Sequence, residues 1–441
     1  MHNILSQDIV IINYHVGKIY LESIFKDFIW LERIVIKMNS FLDQFDTVTV
    51  TLLSLSIMLL AGFLMTRITK RLKLPNVSGY IISGIVIGPY VLNLIPVNTI
   101  ENMAFVGDIA LAFIAFDVGK FLRKEIFMKS GLRAVVITLF ETIISGLFIT
   151  LTIYFIFDYD LSFALLLGVI ATATAPASTM MTINQYKAEG EFVHTLLQVI
   201  ALDNVVCLIL FSIATAAISA MDTGSLTSSH VILPIIYNIV AIIGGFLSGI
   251  LLNRLLAPDT RSDSNRLILV ISLLLAISGI CAIYHISPLL SCMVFGATYI
   301  NTTQDKKLYA EINYFTPPIL SLFFVLSGIN LDVNALFTLG VVGLAYFVIR
   351  IVGKYLGAYL GCMVTGTSES IRNNLGSALI PQAGVAIGLA FLGQRMLPPD
   401  IGNRMMTIIL ASSVLYELVG PISAKIALIR AGSIDPENLQ Q

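Results

Sequence analysis

A carboxylate and an amide lie side by side near the middle of a long apolar stretch of this chain. Asp203 and Asn204 occur in LLQVIALDNVVCLILF, part of an apolar run from about residue 192 to 217. A membrane-spanning helix needs about 20 apolar residues, so this run is long enough to cross a bilayer. A carboxylate at that depth costs about 3 kcal/mol on insertion scales and normally faces a cavity or a charged partner. Asp203 is therefore the first candidate for a functional group.

A cationic partner for Asp203 occurs in a second apolar run, VIRIVGKYLGAYLG. This run contains Lys354, and Arg350 precedes it by four residues, which puts both cations on one helix face. We predict that one of the two cations pairs with Asp203 while the other snorkels or lines a funnel, and we favour Lys354 over Arg350 as the partner. A buried carboxylate can be shared by a proton and a cation if it titrates near the working pH, and a nearby ammonium shifts that balance. An ion pair that only joins two helices is the structural alternative.

The composition is that of a polytopic membrane protein. Of the 441 residues, 57% are hydrophobic and 12% are charged, whereas soluble globular proteins average about 25% charged. About thirteen apolar segments satisfy the length rule for a membrane span. They lie near 48–68, 76–94, 101–119, 131–157, 161–184, 191–218, 231–253, 266–285, 287–301, 315–330, 335–362, 371–394 and 402–429.

The sequence offers little support for an enzyme. The cysteines lie singly in apolar runs without metal-ligand spacing, and we find no nucleophile–base pair or phosphate-binding loop. We therefore expect no enzymatic activity, no cofactor and no nucleic-acid partner.

Basic residues alternate between the loops, which predicts the orientation of the chain. The positive-inside rule places the Lys- and Arg-rich loops and the C-terminus in the cytoplasm of a multi-pass protein of the inner (plasma) membrane. We divide the chain into an N-terminal segment at 1–47, a transmembrane domain at 48–430 and a short cytoplasmic tail at 431–441. The first segment is interpreted as an interfacial amphipathic helix.

Two segments of similar layout carry a proline inside an apolar run. GVIATATAPASTMMT contains Pro176, and GSALIPQAGVAIGLA contains Pro381. Proline removes a backbone hydrogen bond, and lipid offers no replacement, so such breaks persist only inside protein or beside a wet cavity. By span count the two segments run in opposite directions, which predicts inverted repeats over about 76–218 and 287–429. Matching interrupted helices are typical of a transporter's midplane site.

These motifs resemble those of the monovalent cation/proton antiporter superfamily, in particular the bacterial sodium/proton antiporters of its second branch. The resemblance covers about 48–430 and rests on LPNVSGYIISGIVIGP, ATAPA, LDN, GKYLGA, PQAGVAIGLA and YELVGP. It implies an all-α membrane fold with two inverted five-helix repeats and crossed interrupted helices. It also implies a homodimer whose core moves relative to a dimerisation panel and carries the ion across.

The resemblance assigns the ion site to Asp203, Asn204 and Lys354, and Arg350 matches a position where the other branch carries an arginine. Relatives carry Asp-Asp or Asn-Asp at the first two positions, and the second Asp is their principal ion-binding carboxylate. Asn204 departs from that pattern, because an amide can coordinate Na⁺ but cannot carry a proton. Ala175 stands where some relatives have Asp, so Asp203 is the only acid expected in the site. Either Asp203 takes over proton coupling, another acid does, or exchange is impaired.

Further candidates lie close to these motifs in the sequence. Thr172, Thr174 and Ser178 offer hydroxyls or freed carbonyls, or simply pack between helices, and we include Thr174 in the site itself. Gln382 either supplies an amide oxygen or satisfies a freed backbone group. Glu417, in YELVGP, is a structural hydrogen-bonding acid or a proton carrier.

The leading functional hypothesis is a secondary antiporter that exchanges Na⁺, with K⁺ or Li⁺ as alternatives, for H⁺. Its partners would be these ions and the lipid bilayer. A cation channel or leak is the second hypothesis, and a transport-impaired sensor or scaffold with the same fold is the third.

Overall fold

The computed structural model describes residues 45–435 apart from short gaps. The gaps are 72–75, 121, 123, 125–131, 176–178, 181, 184–185, 223–227, 257–262, 285–287, 304–306, 332–339 and 383. The predicted amphipathic helix within 1–47, Pro176 and Ser178 therefore lie outside the described residues. Glu417 lies on the last helix, but its side chain is outside the described part.

The described residues form α-helices joined by short connections, without a β-strand among them. The first eight helices are α1 (Thr47–Arg71), α2 (Asn76–Ile87), α3 (Val97–Asn102), α4 (Ala104–Gly119), α5 (Leu132–Phe155), α6 (Leu161–Thr172), α7 (Glu191–Asp222) and α8 (Ser228–Leu256). The remaining helices are α9 (Asp263–Ile283), α10 (Leu289–Thr303), α11 (Lys307–Phe315), α12 (Pro317–Ile329), α13 (Gly340–Val364), α14 (Glu369–Ala378), α15 (Gly384–Gln394) and α16 (Pro399–Arg430).

The helix lengths are those of a membrane protein. Within the described residues, 7 helices are long and apolar enough to cross a membrane, or up to 9 if each bent pair counts as one span. One bent pair is α11 with α12, at 49°, and the other lies within α16, at 43°. Helices α2, α6 and α15 are shorter and apolar. Each segment predicted as a span contains a helix, and the predicted all-α membrane fold is confirmed.

Two of the helices end in the interior, and their broken ends touch. Helix α6 ends at Thr172, and α14 ends at Ala378 before the chain resumes as α15. The amide of Ala175, in the first break, donates to the carbonyl of Pro381 in the second over 2.9 Å. The last carbonyls of each broken helix have no partner within that helix and must find one elsewhere.

Helices α5 and α13 pack at short range because α13 presents glycine to α5. A Cβ atom on Gly357 would lie 2.6 Å from the Cα of Glu141, and one on Gly353 would lie 2.8 Å from the Cα of Ser145. Both neighbours are main-chain atoms, so the helices could not hold this distance with larger residues. Small residues are the usual means by which membrane helices approach this closely. The approach brings α5 to the level of Lys354.

Candidate ion-binding site

Asp203 and Lys354 are in direct contact in the interior of the protein. Nζ of Lys354, on α13, lies 2.7 Å from Oδ2 of Asp203, on α7, and both side chains are fully buried. The same carboxylate oxygen accepts a hydrogen bond from the hydroxyl of Thr174, which lies 2.8 Å from Nζ of Lys354. The ammonium also donates to the main-chain carbonyl of Thr172, at the end of α6. Helices α7 and α13 and the first break therefore meet at one ammonium group.

A second carboxylate faces the same ammonium. Oε1 of Glu141, on α5, forms an ion pair with Nζ of Lys354, and the glutamate side chain is fully buried. Neither oxygen of Glu141 has a hydrogen bond of good geometry to another described residue, so the contact is electrostatic rather than directional. The prediction that Asp203 is the only acid in this site is therefore wrong.

Glu141 had a signal in the sequence, but the signal is indirect. It is the single acid in the apolar run AVVITLFETIISGLFITL, which marks it as an expensive residue for a membrane helix. Gly353 and Gly357 are four residues apart on α13 and indicate a face of close helix contact on either side of Lys354. The sequence does not specify which helix packs against that face. In the structure α5 packs there, and its packing against α13 places Glu141 in the site.

The side-chain amide nitrogen of Asn204 points toward the first break. Its Nδ2 donates to the carbonyl of Thr174 and to that of Ile200, each over 3.0 Å. Its Oδ1 is buried and has no hydrogen-bond partner among the described residues, and the same holds for Oδ1 of Asp203. A buried oxygen without a partner is costly, so these atoms are available to a bound ion.

Arg350 faces the two breaks rather than the solvent. Its Nε donates to the carbonyl of Ala171 and its Nη2 to that of Ala173, each over 2.6 Å, and its Nη1 donates to that of Ile380 over 2.7 Å. The guanidinium also lies 4.6 Å from the ring centroid of Tyr416. Carbonyls at helix C-termini carry partial negative charge, so this fully buried cation offsets both broken ends. The interpretation of Arg350 as a snorkelling or funnel-lining residue is wrong.

The other polar candidates mostly serve the backbone. Nε2 of Gln382 donates to the carbonyl of Ile170 over 2.8 Å, so this amide satisfies a carbonyl freed at the end of α6. The Gln382 side chain also contacts the buried hydroxyl of Tyr346 at 3.2–3.3 Å. The hydroxyl of Thr172 donates to the carbonyl of Val169 in its own helix, and only its carbonyl faces Lys354.

Two other acids that lie inside predicted spans are held by separate cations. Asp117 lies 2.6 Å from Lys120, and Asp108 lies 3.1 Å from Arg395, with all four side chains partly exposed to the surroundings. Neither acid contacts the Lys354 cluster. The part of the chain that the structure describes contains no group of three His, Cys, Asp or Glu residues suited to hold a metal ion.

A comparison with protein families shows what kind of chain carries this site. The family described as sodium/hydrogen exchanger, transmembrane, matches residues 55–430. The chain belongs to this family. The exchanger-family match covers the interrupted helices and all the residues around Lys354, and it places the chain in the monovalent cation/proton antiporter superfamily.

Individual relatives agree with that membership. This exchanger-family chain is 23% identical over 385 residues to Probable Na(+)/H(+) antiporter 3 of Methanocaldococcus jannaschii, covering 82% of this chain and 93% of the relative. It is also 23% identical over 392 residues to the high-affinity Na(+)/H(+) antiporter NhaS3 of Synechocystis, covering 78% and 82%. The solved structure of the sodium proton antiporter MjNhaP1 from Methanocaldococcus jannaschii at pH 8 superposes with a TM-score of 0.70. It is 19% identical and covers 87% of this chain and 99% of that one, which shows the fold.

Proposed function

We propose that this protein is a secondary active transporter that exchanges a monovalent cation, Na⁺ in preference to K⁺ or Li⁺, for H⁺. The observation that carries the proposal is the position of Asp203. Its buried carboxylate is held by Lys354 and Thr174 beside the contact between two broken helices. Transporter sites are built in this way, from discontinuous helices whose freed carbonyls and buried side chains take up the ion.

The oxygens around Asp203 suit a monovalent cation. Oδ1 of Asp203 and Oδ1 of Asn204 belong to adjacent residues, are buried and have no hydrogen-bond partner among the described residues. Carboxylate and carbonyl oxygens can replace the hydration shell of an alkali cation. We assign the cation to these two side chains, with Thr174 as the neighbour that orients the carboxylate.

Exchange requires that the cation and the proton exclude each other at one place. A cation bound to Asp203 displaces either a proton from the carboxylate or the ammonium of Lys354 from its contact. Lys354 then keeps its proton only if another anion holds it. In either case a charged group cannot leave the site uncompensated, because an unpaired charge is far more costly in the interior than in water.

We also propose the setting in which the exchange takes place. The protein is a multi-pass homodimer of the inner (plasma) membrane with a cytoplasmic C-terminus, and its transmembrane domain spans 48–430 between the segments 1–47 and 431–441. Two inverted repeats contribute one broken helix each, and alternating access moves the core that carries them. The contact of Ala175 with Pro381 supports a core in which both breaks move as one body.

The experiment is proton flux in proteoliposomes that contain purified protein and an internal pH dye. Na⁺, K⁺ and Li⁺ are added in turn to the wild type, to Asp203→Asn and to the control Asp108→Asn, whose carboxylate lies outside the cluster. We expect cation-dependent flux in the wild type and the control, and none in Asp203→Asn.

Two other outcomes correspond to the competing functions. Cation current without proton movement would establish a channel or leak. Intact, folded wild-type protein that moves no proton with any cation would indicate a sensor or scaffold that has lost exchange.

A further inference from the structure

One buried acidic residue near the ion site has no role in the proposed function. Glu141 contacts the same ammonium as Asp203, although it comes from a different helix, α5. Its side chain is fully buried, and neither of its oxygens has a hydrogen bond of good geometry within the described residues. A buried carboxylate held for structure alone would be expected to have its oxygens satisfied by donors.

We propose that Glu141 is the second carboxylate of the ion site and supplies the negative charge that is absent at residue 204. This inference rests on the proposed exchange function and specifies its chemistry. Lys354 carries one positive charge and faces two carboxylates, so one of the two is not neutralised by it. That remaining negative charge is what a proton or a monovalent cation takes up.

Arg350, the other buried cation near these carboxylates, does not change that charge balance. Arg350 directs its guanidinium to the carbonyls of Ala171, Ala173 and Ile380 and thereby serves the ends of α6 and α14. The partial charges of two helix ends together approach one elementary charge, about −0.5 for each end. Arg350 is therefore offset by the broken helices, and Lys354 remains the cation that the two carboxylates share.

The exchange step then follows without deprotonation of the lysine. In the proton-loaded form, one hydrogen is bonded to a carboxylate oxygen of the Asp203–Glu141 pair. When a cation binds to the carboxylate of Asp203, that O–H bond breaks and the proton leaves to water. The Lys354 ammonium keeps its three hydrogens because Glu141 holds it after its contact with Asp203 is lost.

Several other ionisable groups lie near Glu141 and can influence the pH dependence of exchange. They are Asp203 and Cys207 on α7, Lys354, Arg350 and Tyr346 on α13, and Tyr416 on α16. Helix α6, which also packs against α5, contributes no ionisable side chain. The sulfhydryl of Cys207 donates a hydrogen bond to the carbonyl of Val169 over 3.4 Å. The two carboxylates are thus the acids of the cluster.

The test measures proton release when Na⁺ is added to purified protein in weakly buffered detergent, together with the proteoliposome flux and its pH profile. Wild type and the control Asp108→Asn should release a proton for every Na⁺ bound. In Glu141→Gln the ammonium neutralises the one remaining carboxylate, so proton release at neutral pH should be lost. Flux should fall by about tenfold or more, because the lysine ammonium, ordinarily a much weaker acid than a carboxyl group, must then supply the proton. Residual flux should have its optimum at more alkaline pH, because the lysine itself must now give up a proton.

The outcomes separate this inference from the proposed function. Absence of cation-dependent flux in the wild type contradicts the proposed function itself. Flux that Asp203→Asn abolishes, but that Glu141→Gln leaves within about twofold of wild type with the same pH profile, overturns only the role of Glu141. Wild-type protein that binds Na⁺ without releasing a proton overturns it as well. If Glu141→Gln does not fold, Glu141→Asp decides: retained proton release with a shifted pH profile supports the role, and an unchanged profile overturns it.

Discussion

Asn204 donates a hydrogen bond from its side-chain amide to the main-chain carbonyl of Thr174, in the first break, over 3.0 Å. A second bond from the same nitrogen reaches the carbonyl of Ile200. An aspartate at this position would direct an oxygen at two carbonyl oxygens and could donate to one of them only in its protonated form. The side-chain amide of Asn204 therefore satisfies a main-chain carbonyl that the break leaves without a helical partner.

Asn204→Asp should lower the stability of the protein, although it introduces the acid that the family resemblance leads us to expect at this position. We expect a loss of about 1–3 kcal/mol in unfolding free energy, the cost of leaving buried polar atoms without a suitable partner. The loss should be larger at alkaline pH, where the new acid is ionised and faces the carbonyls, and smaller at acidic pH, where it can donate. Melting temperatures in detergent across the pH range measure this difference.

Asn403→Asp is the matched control for that substitution. Asn403 is exposed, and its Oδ1 accepts a hydrogen bond from Gln394 over 2.6 Å, which an aspartate can also do. Its melting temperature should stay close to that of the wild type. An Asn204→Asp variant that is as stable as this control, or that transports faster than the wild type, would contradict our account of the amide.

Lys354→Ala should be strongly destabilising because it leaves two buried carboxylates without their cation. Removal of one partner from a buried ion pair typically costs about 3–5 kcal/mol. Glu141→Gln in the wild-type background leaves the ammonium neutralised by Asp203, so the melting temperature should change little. In the Lys354→Ala background the same change removes one of two uncompensated charges, so it should raise the melting temperature. The difference between the two effects is measured by a double-mutant cycle. Equal effects of Glu141→Gln in both backgrounds would show that the two residues are not coupled.

Arg350→Lys should separate the two broken helix ends even though the positive charge is kept. The guanidinium donates to three carbonyls from a planar fork, and a lysine ammonium cannot reproduce that geometry. Loss of a single charge-assisted hydrogen bond is worth about 1.5–3 kcal/mol. We expect a clearly lower melting temperature and a lower rate of exchange.

Arg372→Lys, at a partly exposed position, provides the comparison for Arg350→Lys. Arg372 lies 3.5 Å from the exposed Glu369 and 5.5 Å from the ring centroid of Tyr359, so a lysine that keeps the charge should change stability by less than about 1 kcal/mol. Similar melting temperatures for the two arginine variants would mean that Arg350 does not brace the breaks.

Gly357→Ala should push α5 away from α13 and weaken the contact between Glu141 and Lys354. The added Cβ would lie 2.6 Å from the Cα of Glu141, an atom that cannot give way without a shift of the whole helix. Overpacking of this kind typically costs about 1–3 kcal/mol, which a thermal melt would show. We also expect the exchange rate to fall with it.

Gly343→Ala is the control on the same helix. A Cβ on Gly343 meets no other atom within 4 Å, so the variant should be neutral or slightly more stable, since alanine favours helix more than glycine. If both glycine variants behave alike, close approach of α5 and α13 does not hold the site together.

Much of the fold could be predicted because its signals are local. The length of an apolar run reports a membrane helix directly, and a proline within such a run reports a break, whatever packs against it. Asp203 and Lys354 were recognisable for the same reason, since a charge inside an apolar run stands out without knowledge of its neighbours. The all-α membrane class, the interrupted segments and the expectation of this ion pair thus follow from the sequence alone.

The rotation of each helix about its axis was decided only by the tertiary structure. Glu141 is as visible in its apolar run as Asp203, but its partner depends on the close approach of α5 to α13, which no local pattern specifies. Arg350 and Lys354 share a helix face, yet one reaches the broken helix ends and the other two carboxylates. The two cations contact different groups because of the way the helices cross and the length of each side chain. Helix crossing depends on contacts between residues that are distant in the sequence, so no local pattern could predict it.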